Sequence, residues 1–173
     1  MFLRLRVKFI LVFLTLTLAS GAAVTQSQSA TFRSVDGREV RLADLKGKVV
    51  VMSFGGTWVP LASRELPALQ KLADRYSSRG AQVYWVSINS AKPGARNYAS
   101  DADLQAFAQK HNLKATVLRD PDQTAYKAFG LDAVPTAVII DQQGNLAHKQ
   151  VGFSADQGEA YGELIRVIER LLK

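Results

Sequence analysis

Cysteine is absent from all 173 residues. That absence excludes disulfides, thiolate metal sites, c-type haem attachment, thiol nucleophiles and the acylated cysteine of a lipoprotein. Histidine is almost absent as well. His111 and His148 are the only two; far apart in the sequence and without a thiolate, they make no ligand cluster for a metal. The hydroxyls Thr57 and Ser63 would need a positioned base to act as nucleophiles. Acidic residues are the minority sign, 15 against 22 Lys and Arg, for a net charge of +7. Arg4, Arg6 and Lys8 fall within the first 23 residues, where there is no acid; the remaining 19 basic and 15 acidic residues leave +4. So mild and scattered an excess gives no footprint for nucleic acid. Internal repeats and low-complexity tracts are also missing. With 47% hydrophobic and 21% charged residues, what remains is the composition and length of one ordinary globular domain.

The N-terminus has the order of an export signal. Residues 1–8 are basic, Phe9 to Ala19 is apolar apart from Thr15 and Thr17, and Ser20, Gly21, Ala22 and Ala23 are small. Gly21 and Ala23 suit the −3 and −1 positions of a signal-peptidase site. The apolar run is shorter than the roughly 20 residues of a comfortable membrane span, so residues 1–23 read as a cleaved signal peptide, with an uncleaved membrane anchor as the alternative. Residues 24–30 read as a polar linker, and residues 31–173 as the folded domain. The expected location is the periplasm or cell envelope.

Within that domain, Thr31 to Arg41 alternates about Asp36-Gly37, a hairpin signal. Val49 to Phe54 is continuous and apolar apart from Ser53, as in a strand buried on both faces. Gly55 and Gly56 precede a helix whose apolar positions Ala62, Leu66, Leu69, Leu72, Ala73 and Tyr76 keep the 3.6 period; Pro67 inside it should kink it. Val83 to Ile88 is a second buried strand. Ser100 and Asp103 form a capping box for the helix carrying Leu104, Phe107 and Ala108. Thr116 to Leu118 is a short strand and Thr124 to Phe129 a short helix. Ala137 to Ile140 is a strand, and Leu146 to Val151 its antiparallel partner. Tyr161, Leu164, Ile165, Ile168, Leu171 and Leu172 form the stripe of a last helix. Alternating strands and helices closed by a hairpin and a helix give an α/β domain, a mixed central sheet flanked by helices.

Two segments resemble a known family when taken together. One is Phe54-Gly55-Gly56-Thr57-Trp58-Val59-Pro60-Leu61-Ala62-Ser63-Arg64-Glu65-Leu66-Pro67. The other is Phe129-Gly130-Leu131-Asp132-Ala133-Val134-Pro135-Thr136, leading to a strand that ends in Asp141-Gln142-Gln143-Gly144. This pair resembles the thioredoxin-like superfamily, in particular the exported TlpA-like thiol–disulfide oxidoreductases and the redoxin (AhpC/TSA) family. The resemblance runs from about Thr31 to the C-terminus. It implies a thioredoxin-like fold with an N-terminal β-hairpin, and a cis peptide bond before Pro135.

The family's Trp-Cys-x-x-Cys motif opens the first helix, where the helix N-terminus stabilises a thiolate and a second thiol one turn on resolves the mixed disulfide. Here Trp58 stands in place, but the two cysteine positions hold Val59 and Ala62. Neither has a nucleophile or a redox state, and no thiol elsewhere substitutes. The peroxidatic thiol of a redoxin is missing by the same test.

No catalytic residue, cofactor or metal is therefore expected. The expected role is redox-inert binding of a peptide or protein partner, in a groove formed by Trp58, Val59, Pro60, Val134 and Pro135. The alternatives are a thiol–disulfide oxidoreductase or antioxidant redoxin whose cysteines come from a partner or were replaced, and a structural subunit of an envelope complex. Trp58 reads either as a contact residue or as inherited packing, and Glu65 and Pro67 as structural parts of the kinked helix. The stretch Asn89 to Ser100, with Lys92, Arg96 and Tyr98, reads first as a solvated loop and second as an acceptor for an anionic or peptide partner.

Overall fold

The computed structural model describes residues 29–154 and 160–173. The expected signal peptide, its cleavage site and most of the linker lie outside the described residues. Seven strands form one sheet: β1 (Thr31–Ser34), β2 (Glu39–Arg41), β3 (Val49–Gly55), β4 (Ala81–Ser87), β5 (Thr116–Arg119), β6 (Thr136–Ile140) and β7 (Leu146–Val151). Their order across the sheet is β2-β1-β5-β4-β3-β6-β7. Strands β3, β4 and β5 run parallel, whereas β1 and β6 run antiparallel to their neighbours on either side. The helices are α1 (Ala62–Tyr76), α2 (Asp101–Lys110), α3 (Thr124–Ala128) and α4 (Gly162–Leu171).

Alternation along the central strands sorts the core into two layers. Val49 and Val51 of β3, Val83 and Trp85 of β4, and Ala137 and Ile139 of β6 pack on one face against Leu66, Leu69, Leu72 and Tyr76 of α1, Leu104 of α2, and Leu164 and Ile168 of α4. Val50, Met52 and Phe54, Tyr84 and Val86, and Val138 and Ile140 pack on the other face with Phe32, Leu42, Tyr126, Phe129 and Leu131. Every residue of β3 and of β6 is buried, which explains why both are mainly apolar rather than alternating.

The capping box is formed, with Ser100 accepting from the Asp103 amide and Asp103 accepting from the Ser100 amide. Helix α1 ends at Tyr76 and passes through a 3-10 turn, Ser77–Arg79, before Gly80 takes φ +98°. The glycine thus ends the segment but lies one turn beyond the α-helix proper. Pro67 lies inside α1; lacking an N–H, it leaves the carbonyl of Ser63 without its usual i+4 donor. Ser63 is exposed, so water can serve that carbonyl.

The register fixes where the site must be. Gly55 ends β3 opposite Ser87 of β4, and Phe54 pairs with Thr136, the first residue of β6. The C-terminal ends of the parallel strands and the loop leading into β6 therefore share one edge of the sheet, the position at which open α/β sheets place ligands.

Candidate functional site

The chain leaves β3 through two glycines with different jobs. A Cβ on Gly55 would sit 3.0 Å from Trp85 Nε1, and one on Gly56 would sit 2.2 Å from the Trp58 ring. The Trp58 indole thus lies flat on the Gly56 backbone with one face, while 45% of the residue stays exposed. Trp58 thus packs against the turn and keeps part of its surface exposed. The Val59 amide donates to Gly56 O (3.0 Å) and the Ala62 amide to Val59 O (3.1 Å), so positions 59 and 62 are joined by a single turn. Both side chains are buried, whereas Trp58, Pro60 and Leu61 are exposed. Leu61 was not singled out by sequence, although it lies in the same turn at 37% exposure.

The Val134–Pro135 peptide bond is cis. Its loop is held by Thr136 Oγ1 donating to Ala133 O (2.7 Å) and by the Gly152 amide donating to Pro135 O (2.8 Å). Val134 is half-buried against the second core layer, and Pro135 is buried. The five expected groove residues therefore lie at the same end of the sheet, but they are not equally accessible: Trp58 and Pro60 are exposed, Val134 is half-buried, and Val59 and Pro135 are buried.

Asn89, which sequence reasoning passed over, joins this turn to the loop after β4. It is completely buried. Its Oδ1 accepts from the Thr57 amide and from Ser87 Oγ, both at 3.0 Å. Its Nδ2 donates to Thr57 Oγ1 (2.9 Å) and to Asn97 O (3.0 Å). The loop itself is closed by Ser90 N donating to Asn97 O and Ala99 N donating to Ser90 O, both at 3.1 Å. Lys92, Arg96 and Tyr98 are exposed, as a solvated loop requires, and the backbone of Asn89–Ser100 is also hydrogen-bonded and fastened to the motif turn. Thr57, considered as a nucleophile, is instead an acceptor in this clamp, and Ser63 Oγ donates to Pro60 O (3.1 Å). At the loop's far end, buried Arg119 donates to Ala99 O (2.8 Å) and pairs with Asp101 (2.6 Å). Burial raises the Asp101 carboxyl, but hydrogen bonds from Arg119 and Arg33 outweigh it and hold the group below its usual range.

Beneath the turn lies a buried carboxyl. Glu65 is 1% exposed; Ser53 Oγ and Tyr161 Oη (3.0 Å) donate to its Oε1, while Oε2 has no hydrogen-bond partner among the described residues. Desolvation pushes this carboxyl above its ordinary value, partly opposed by the two hydroxyl donors. A signal for Glu65 does exist in the sequence, because it falls on the α1 apolar stripe between Ala62 and Leu66. Ser53, a lone hydroxyl in an apolar strand, marks its partner.

His111 packs edge-on against Phe107, with ring centroids 4.6 Å apart, and His148 lies on β7, against α4. Neither belongs to the motif turn. Among the described residues no group of three side chains could hold a metal. The hollow at the turn, about 540 Å³, is lined by Trp58, Arg96 and Asn97. A larger one of about 690 Å³ lies between β7 and α4; ion pairs Arg75–Glu169 and Arg166–Glu163 occupy charges of its lining, so the smaller hollow, beside the motif, is the better candidate.

Fold and site together define a thioredoxin-like domain whose motif helix opens without thiols. The chain belongs to the AhpC/TSA family, whose model matches residues 24–149. It is 25% identical over 142 residues to the thiol-disulfide oxidoreductase ResA of Halalkalibacterium halodurans, covering 82% of this chain and 76% of that protein; other ResA sequences align over 63% of their own length. Among solved structures, a Chlorobium tepidum chain assigned as a thiol:disulfide interchange protein DsbE superposes with a TM-score of 0.70 at 25% identity, over 86% of this chain and 96% of that one. The exposed lipoprotein thioredoxin Etrx1 of Streptococcus pneumoniae gives 0.65 at 26% identity, over 82% and 98%. Among the described residues, no helix is long and apolar enough to cross a membrane.

Proposed function

We propose that this chain is an exported, redox-inert member of its family that binds a peptide or protein partner in an extended form beside the Pro135 loop. The observation that carries this reading is the exchange of chemistry for surface at one turn. Val59 and Ala62 are buried aliphatic residues where the family has thiols, yet Trp58 and Leu61 next to them stay exposed. A half-exposed tryptophan is costly to leave uncovered without a use, and aromatic anchors of this kind carry a large share of binding energy. Export is supported by the charge, apolar run and small residues at positions 1–23, and by the exposed lipoprotein among its structural relatives. N-terminal sequencing of the protein from the envelope fraction is expected to begin near Val24; Met1 on soluble cytoplasmic protein would overturn export.

Two measurements test the function. With dithiothreitol as reductant, the chain is expected to leave the rate of insulin reduction at that of a boiled control. Reduced, carboxymethylated α-lactalbumin, an extended chain, is expected to change the emission of Trp58 and to bind the wild type more tightly than Trp58→Ala. Turnover above the control would restore the oxidoreductase reading. Equal binding by wild type, Trp58→Ala and Leu61→Ala would remove the groove.

A further inference from the structure

We infer that the hollow between Trp58 and Arg96 is a subsite for an Asp or Glu side chain of the bound segment. This deepens the groove reading and rests on it. One wall is the outer face of the Trp58 indole, whose inner face is committed to Gly56. Another is Asn97, whose carbonyl accepts from Asn89 Nδ2 and from Ser90 N, so the backbone there is fixed. The third is Arg96, exposed and without an ion pair among the described residues.

The charge of this wall is not cancelled locally. From Asn89 through Ser100 the loop carries Lys92 and Arg96 and no acid. The first acid after it, Asp101, is already held by Arg119 at 2.6 Å and Arg33 at 2.8 Å. The Pro135 loop carries its own exposed acid, Asp132, so an acidic residue of a partner is directed to the Arg96 side of the groove and away from that loop. Guanidinium and indole together suit a carboxylate on a short apolar stem: the charge takes the planar donor fork of Arg96 and the methylenes lie on the ring. A cationic residue would meet like charge, and two exposed cations are too few to hold a nucleic-acid backbone. Because Asn89 fastens the loop to the motif turn, little of the loop has to be ordered on binding.

The probe is a cellulose-bound array of random dodecapeptides in which acidic and basic residues are equally frequent over the whole array and vary from peptide to peptide, incubated with the labelled full chain. Peptides retained by the wild type are expected to be enriched in Asp and Glu. The best of them should lose affinity about tenfold for Arg96→Ala, and that loss should shrink as salt is raised. Arg96→Ala is expected still to retain apolar peptides, with the acidic enrichment gone, and Arg96→Glu to favour Lys and Arg instead. Wild-type retention without an acidic excess, or an excess unchanged in Arg96→Ala, overturns the subsite and leaves the groove standing. Retention no greater than that of Trp58→Ala, for every peptide, overturns the groove and the subsite with it.

Discussion

The turn Gly56–Ala62 and the loop Asn89–Ser100 meet through the side chain of Asn89, and they carry information of different kinds. What the turn lacks is decided by two side chains. Val59 and Ala62 keep the backbone hydrogen bonds of the turn while removing every atom that could exchange electrons. What the loop supplies is decided by its hydrogen-bond pattern, which hardly depends on which side chains point outward. Thiol chemistry can therefore be deleted from this end of the sheet by exchanging two side chains, whereas the placement of the loop next to it depends on the polar clamp of Asn89.

The clamp is where that contrast breaks most severely. Asn89→Ala removes the acceptor of the Thr57 amide and of Ser87 Oγ and one of the two donors to Asn97 O, which keeps the Ser90 amide. Each stranded polar group costs about 1–3 kcal/mol. Where water reaches some of them, the total settles at roughly 3 kcal/mol. Urea denaturation should show that loss, and the exposed Trp58 should report the loosened turn by altered emission even under native conditions. A loss below about 0.5 kcal/mol, the range of an ordinary surface substitution, would mean that the loop is held by its own backbone and that the turn is independent of it.

Most of the fold was legible because it follows from local signals. The mainly apolar runs of β3 and β6, the capping box at Ser100 and the Asp36-Gly37 turn each act within a few residues. The clamp was not legible, because the partners of Asn89 lie 32 residues back at Thr57 and 8 residues on at Asn97, and an Asn beside Ser90 and Lys92 has the composition of any solvated loop. Tyr161 was taken for a core residue, and it is one at 3% exposure; that its hydroxyl also reaches Glu65 from 96 residues away follows only from how α4 packs on α1. The acceptor reading of Lys92 and Arg96 could not be ranked above the solvated one without knowing that the loop is fixed in place.

The buried carboxyl sharpens the same contrast from below, since it is a polar group whose burial opposes its charge. The Glu65 carboxyl is raised in the folded protein by desolvation, so the native state holds this proton more tightly than the unfolded chain does. The group's contribution to stability is therefore complete below its ordinary value of 4.5 and is lost as pH rises through the raised folded value. Wild-type stability should fall with pH across that window. Glu65→Gln, which cannot ionise, should show a flatter profile and be the more stable of the two at neutral pH. Urea midpoints from pH 4 to 8 measure this; parallel profiles for the two proteins would place the Glu65 charge in contact with water.

The smallest cost to the fold is expected where the change in chemistry is greatest. The Ala62 amide donates to the Val59 carbonyl, so the two positions are joined by one turn at the start of α1. Val59→Cys with Ala62→Cys should place two sulfurs within bonding reach, and the thiol at the first position should have a depressed pKa from the helix N-terminus. Both sites are buried and the volume changes are small, so the stability loss should stay near 1 kcal/mol or below. The double variant should form an internal disulfide and accelerate insulin reduction by dithiothreitol, which neither single variant nor the parent should do. An internal disulfide with exchange activity would mean that the turn has kept a reactive geometry and lacks only the thiols. A folded double variant that forms none would mean that the turn has drifted, and that Trp58 is held for the loop opposite rather than for the helix behind it.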